Sequence, residues 1–180
     1  MKPALVILDV QEVLLPLIWR SAELVGRIAS LARAARESGV PVVAFQQIGE
    51  SGSFFDPEQP RTRPADGLAL QPSDVVIRKT ATDAFYGTEL AAVLVEREID
   101  TLVITGVSTD YCVDATVRSS LSHGFDVVLV EDGHAPVTEG DPAAGLAPEQ
   151  IVERHNRILS TGMHPGGSVR VVPAAEVAFG

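Results

Sequence analysis

The stretch TLVITGVSTDYCVDATVRSSLSHGFDVVLVED, residues 101–132, holds two apolar runs with a helical pattern between them. The runs at 101–107 and 126–132 are rich in Val, Leu and Ile and show no polar alternation, the pattern of strands buried on both faces. Between them Val113, Val117 and Leu121 recur at a spacing of four, and Gly124 stands where a helix from Tyr111 to His123 would stop. Strand, helix and strand in this order form a βαβ unit. Such a unit calls for a parallel sheet covered by helices.

The same alternation extends in both directions. Further apolar runs lie at 4–10, 40–47, 74–79 and 168–173. Leu24, Ile28, Leu31 and Ala35 mark a helix that Gly39 would close. Leu90, Val93 and Leu94 mark another, and Pro148 opens a fourth over EQIVERHNRIL. These elements predict an α/β fold: a doubly wound, mostly parallel six-stranded sheet in the order 3-2-1-4-5-6, with helices on both faces. A single domain spanning residues 1–180 is expected. Residues 48–73 and 133–148, rich in Gly, Pro, Ser and Asp, read as long loops of the kind that serve as lids or binding loops.

The totals narrow the function. A 46% hydrophobic content with 21% charge describes a globular chain. The net charge of −10 speaks against nucleic acid and against anionic membranes and says little about the substrate. The opening MKPALVILDV is too short for a signal peptide, no run approaches a membrane span, and a cytoplasmic location is expected. One cysteine excludes an intrachain disulfide framework and any CxxC redox or zinc motif. Neither GxGxxG nor GxxxxGK follows an apolar run, which disfavours a nucleotide-binding module. The region FQQIGESGSFFDPEQPRTRPADG, residues 45–67, has no histidine, and its acids show no spacing suited to a transition metal. No metal and no cofactor are expected.

In open α/β sheets ligands bind beyond the carboxyl ends of the strands, where strand order reverses. Asp9 closes the first run, Lys79 closes the third, and Cys112 opens the helix after the fourth. In the order given above Asp9 and Cys112 face one crevice, with Lys79 two strands away and long enough to reach in. A thiol is a weak nucleophile until it ionises. A helix N-terminus and a nearby ammonium are expected to lower the pKa of Cys112. A carboxylate can take the proton as general base, and free N–H groups of the same turn can hold an oxyanion. Asp9, Lys79 and Cys112 thus make a candidate acyl-transfer site that needs no histidine.

The chain also resembles the isochorismatase-like cysteine hydrolase family. The likeness rests on LDVQ (8–11), DVVIRKTATDAFYGTEL (74–90), VITGVSTDYCVDATVRSSLSHGF (103–125) and VLVEDGHA (128–135), with LAPEQIVERHN (146–156) similar to a C-terminal helix of such proteins. The resemblance implies a Rossmann-like domain and a catalytic triad of Asp9, Lys79 and Cys112. It further implies a cis peptide between Val107 and Ser108, an oxyanion hole from the backbone N–H groups of Ser108 and Cys112, and a homo-oligomer, dimer or tetramer. LDVQEVLLP departs from the usual DMQNDF and leaves Asp9 intact. The implied reaction is cleavage of an amide or N-carbamoyl C–N bond of a small molecule through a thioester. The alternatives are an ether or ring-opening hydrolase of the same fold and a non-catalytic small-molecule binding protein. Gln11, Phe85, Tyr86, Val107, Thr109 and His134 are the candidate substrate-binding residues. Trp19, Phe54 and Phe55 are candidates for a hydrophobic lid or a subunit contact.

Overall fold

The computed structural model describes residues 1–180. Six strands, β1 (Pro3–Leu8), β2 (Val42–Gln47), β3 (Val75–Lys79), β4 (Thr101–Val107), β5 (Asp126–Ala135) and β6 (Val169–Val172), pair in the order β3-β2-β1-β4-β5-β6. Every pairing is parallel, including those at the two edges. Four helices, α1 (Ser21–Glu37), α2 (Leu90–Glu96), α3 (Asp114–Ser122) and α4 (Pro148–Ser160), cover the sheet. None of them is long and apolar enough to cross a membrane.

Side-chain alternation along the central strands creates a core on each face. Leu5 and Ile7 of β1 pack with Leu24, Ile28 and Leu31 of α1. Ala4, Val6 and Leu8 point the other way, toward Leu90 and Leu94 of α2 and Val117 and Leu121 of α3. A strand buried on both faces therefore has no polar position to spare, which is why its sequence reads as one apolar run. Edge strand β3 differs: Val76 and Arg78 are exposed, and only one face is covered.

Several boundaries move from their expected places. β1 stops at Leu8 because Asp9 takes a left-handed φ of 51°, a conformation that short polar side chains tolerate. β5 runs on to Ala135 through a register shift that sets His134 beside Gly106. The expected helix over 111–123 begins instead as a π turn, Thr109–Val113, which leads into α3. The two long loops are ordered by backbone bonds. Residues 48–73 contain two short 3₁₀ turns and lie along residues 10–13, where Ala65 N–H donates to Val10 and Val13 N–H to Arg61. Residues 136–147 make a bridge from Val137 to Ile18 and a tight turn closed by Asp141 and Leu146.

Gly106 faces β1 at the point where the two central strands end. Its φ is +125°, and a Cβ there would overlap the backbone of Leu8. Gly106→Ala is expected to lower the unfolding free energy by at least about 3 kcal/mol. Urea unfolding measures it, and a loss below about 1 kcal/mol would mean that the strands are not so close.

Candidate active site

The register places the site. Leu8 pairs with Gly106, so Asp9, the first residue beyond β1, lies beside Val107, the last residue of β4. Gln47 pairs with Lys79 at the ends of β2 and β3. The Lys79 side chain, 0% exposed, reaches back across β2 toward β1. Its Nζ lies 2.7 Å from Asp9 Oδ2, 2.7 Å from Gln47 Oε1, 2.8 Å from the Ala81 carbonyl and 3.3 Å from Cys112 Sγ. The three residues expected from their strand-end positions thus meet, with the ammonium between the carboxylate and the sulfur.

The charges set the resting state. Burial raises the Asp9 pKa above the ordinary carboxylate value, and the Lys79 charge opposes that rise. Lys79 is the ion partner of Asp9 Oδ2 at 2.7 Å, and the carboxylate keeps acceptor capacity for an incoming proton. The Cys112 thiol is pushed up to about 12, by burial first and the Asp9 charge second. Lys79 pulls it down, but by less. This corrects the expectation of a lowered thiol pKa. Cys112 sits in a π turn, half-buried beside an anion, and is a neutral thiol at rest.

Asp9 and Cys112 open on a cavity of about 300 Å³. Val107, Leu14, Phe55 and Tyr111 supply its apolar walls, and Thr80 and Thr82 stand at its exposed edge. Ser108 also lines it, joined to Val107 by a cis peptide. The Ser108 N–H has no acceptor within the chain. Of the loop residues considered for a lid, Phe55 enters the cavity, whereas Phe54 lies near Arg61 and Trp19 near Arg20. Nothing from 133–148 reaches it. Leu14, Gln47, Thr80, Thr82 and Tyr111 were not among the expected site residues, although Thr80, Thr82 and Tyr111 lie within the stretches 74–90 and 103–125. Gln47 also had a readable signal, as the last residue of the apolar run at 40–47.

Five of the six candidate substrate-binding residues lie elsewhere. The Gln11 amide is buried and bonds to Gln47 N and O and to the Thr62 carbonyl, tying the loop to β2. Phe85 packs in the core and stacks on His123 at 4.3 Å. Tyr86 is 70% exposed and away from the cavity. Thr109 is fully buried, with its hydroxyl 2.9 Å from His134 Nδ1. His134 Nε2 is 3.0 Å from Asn156 Oδ1, and the Asn156 amide nitrogen donates to the Glu131 carbonyl. That bond fixes the amide so that Oδ1 accepts from Nε2–H, and Nδ1 must then accept from Thr109. His134 is a neutral brace between β5, the π turn and α4. Only Val107 stands at the cavity.

The donor set does not fit a metal. No three His, Cys, Asp or Glu side chains converge. Asp56, the most buried acid of the 48–73 loop, accepts from the Gly52 and Glu58 N–H groups.

Comparison with known proteins gives the family and the fold. The sequence model described as Isochorismatase domain matches residues 3–155. A streptothricin hydrolase of Streptomyces noursei is 32% identical, over 98% of this chain and 70% of its own. An isochorismatase of Pseudomonas putida KT2440 superposes with a TM-score of 0.83 at 28% identity, covering 98% of this chain and 90% of its own. The N-carbamoylsarcosine amidase of Thermoplasma acidophilum gives 0.74 at 25% identity, covering 98% and 99%.

Two outcomes follow from the charges. Asp9→Asn removes the anion that holds the thiol protonated, so the pH profile of Cys112 alkylation is expected to move to lower pH while turnover is lost. An unmoved or raised profile would contradict the assigned cause. Burial lowers the His134 pKa from 6.5 to about 4. The folded state resists protonation that the unfolded chain accepts, so the neutral form's stability is full above pH 6.5 and is lost as pH falls toward 4. Denaturant unfolding across that window should show wild type losing on the order of 3 kcal/mol more than His134→Gln. Parallel losses would contradict it.

Proposed function

Since the chain belongs to the isochorismatase family, we propose that it is a cysteine hydrolase cleaving the C–N bond of a small amide or N-carbamoyl compound through a thioester. The observation that carries this reading is the Lys79 ammonium set 2.7 Å from Asp9 and 3.3 Å from Cys112 on one cavity. The relatives named as a streptothricin hydrolase and an N-carbamoylsarcosine amidase support it. The isochorismatase relative keeps ether cleavage as the alternative. A sulfur nucleophile beside a carboxylate favours acyl transfer, because ether hydrolysis has no need of a thiol.

Asp9 takes the proton of Cys112 as the sulfur attacks the carbonyl carbon. The carbonyl pair moves onto oxygen, where the Ser108 and Cys112 N–H groups hold the charge. The C–N bond then breaks, the nitrogen takes the proton from Asp9, and ammonia or an amine leaves. Water attacks the thioester carbon and gives its proton to Asp9. Collapse releases the acid, and the sulfur leaves as a thiolate that recovers the proton from Asp9. Lys79 stays beside both negative groups throughout, lowering the energy of whichever is charged.

A thiol that is neutral at rest makes the base indispensable. Cys112→Ala is expected to reduce ammonia or amine release at least about a thousandfold, with a melting temperature close to wild type. The check is ammonia release alongside thermal unfolding. A folded variant with more than a tenth of wild-type activity would contradict the nucleophile.

A further inference from the structure

The walls of the cavity define what it can hold. Leu14, Phe55, Val107 and Tyr111 present carbon, and the only cation that faces the site is Lys79. An ammonium has three protons, and that of Lys79 already has Asp9, Gln47 and the Ala81 carbonyl at 2.7, 2.7 and 2.8 Å, with Cys112 Sγ as a fourth neighbour. Its side chain is 0% exposed. Nothing remains for a second carboxylate. Lys79 and Asp9 neutralise each other, so the site offers no net positive field.

A further charge held by a lining residue has the wrong sign for an anion. Asp110 accepts from the Ser108 hydroxyl at 2.7 Å, and Ser108 lines the cavity. A substrate carboxylate would lose its water against apolar walls, gain hydroxyl contacts at best, and sit near a second anion. A desolvated charge without a partner is heavily disfavoured. An uncharged carbon chain or ring would gain by covering Phe55 and Tyr111, the latter 60% exposed without it.

We infer that the cavity selects substrates whose portion beyond the reacting carbonyl group is uncharged and apolar, and rejects those carrying a carboxylate. This rests on the hydrolase reading for the reaction, but the selectivity belongs to the walls and shows in binding alone.

Butanamide and succinamate separate the two properties. They share a four-carbon amide, and succinamate ends in a carboxylate where butanamide ends in a methyl group. Two readouts apply to the wild-type protein: protection of Cys112 from iodoacetamide at alkaline pH, and ammonia release. Butanamide is expected to protect at concentrations at least about tenfold lower than succinamate and to show a kcat/KM at least about tenfold higher. Protection by butanamide without ammonia release would sustain the selectivity and remove the hydrolase reading. Equal or better protection by succinamate, or protection by neither, would overturn the selectivity whatever the ammonia measurement shows.

Discussion

A buried lysine beside a buried aspartate is the constraint around which the rest is arranged. Two charges taken out of water are costly, and they persist only where each is the other's partner and further acceptors complete the set. Here the partners come from β1 and β3, with Gln47 of β2 between them. A parallel sheet with β2 between β1 and β3 brings these ends together. The glycine at 106 and the left-handed Asp9 finish β1 and β4 at the same level. Gln11 then ties the following loop to the end of β2, which keeps Phe55 over the cavity. Fold and site are one problem: moving any of these ends would leave a charge unpaired.

The same pair governs the thiol. A nucleophile held ionised would gain from Lys79 alone, but the Asp9 charge raises the thiol pKa by more than the Lys79 charge lowers it, and burial acts with Asp9. The outcome is a protonated sulfur next to a carboxylate whose own pKa is raised. That combination suits a proton transfer made in step with attack. In the proposed acyl transfer, the carboxylate is a stronger base than an exposed one, and the thiolate forms only as a carbonyl carbon takes its charge.

The sheet was legible because burial on both faces erases polar alternation: β1, β4 and most of β5 could be read from composition alone. Asp9, Lys79 and Cys112 were legible because each follows an apolar run, and strand ends converge in this architecture. What sequence could not show was direction. Phe85, Thr109 and His134 are close to the motif in number, yet their side chains turn into the core or toward α4. Leu14, Phe55 and Tyr111 come from three separate segments that only tertiary packing unites. The thiol's charge state was misjudged for a related reason: a helix start and a lysine are visible in sequence, whereas burial and the distance to Asp9 are not.

The central claim is that Cys112 carries the acyl group during turnover. Its most direct test is intact and peptide mass spectrometry of wild-type protein, acid-quenched while it is hydrolysing an amide. The expected result is a mass increase equal to the acyl group, located on the peptide containing Cys112 and lost on treatment with hydroxylamine. Continued ammonia release at saturating amide, with hydroxylamine yielding no hydroxamate and Cys112 unmodified at every quench time, would contradict it.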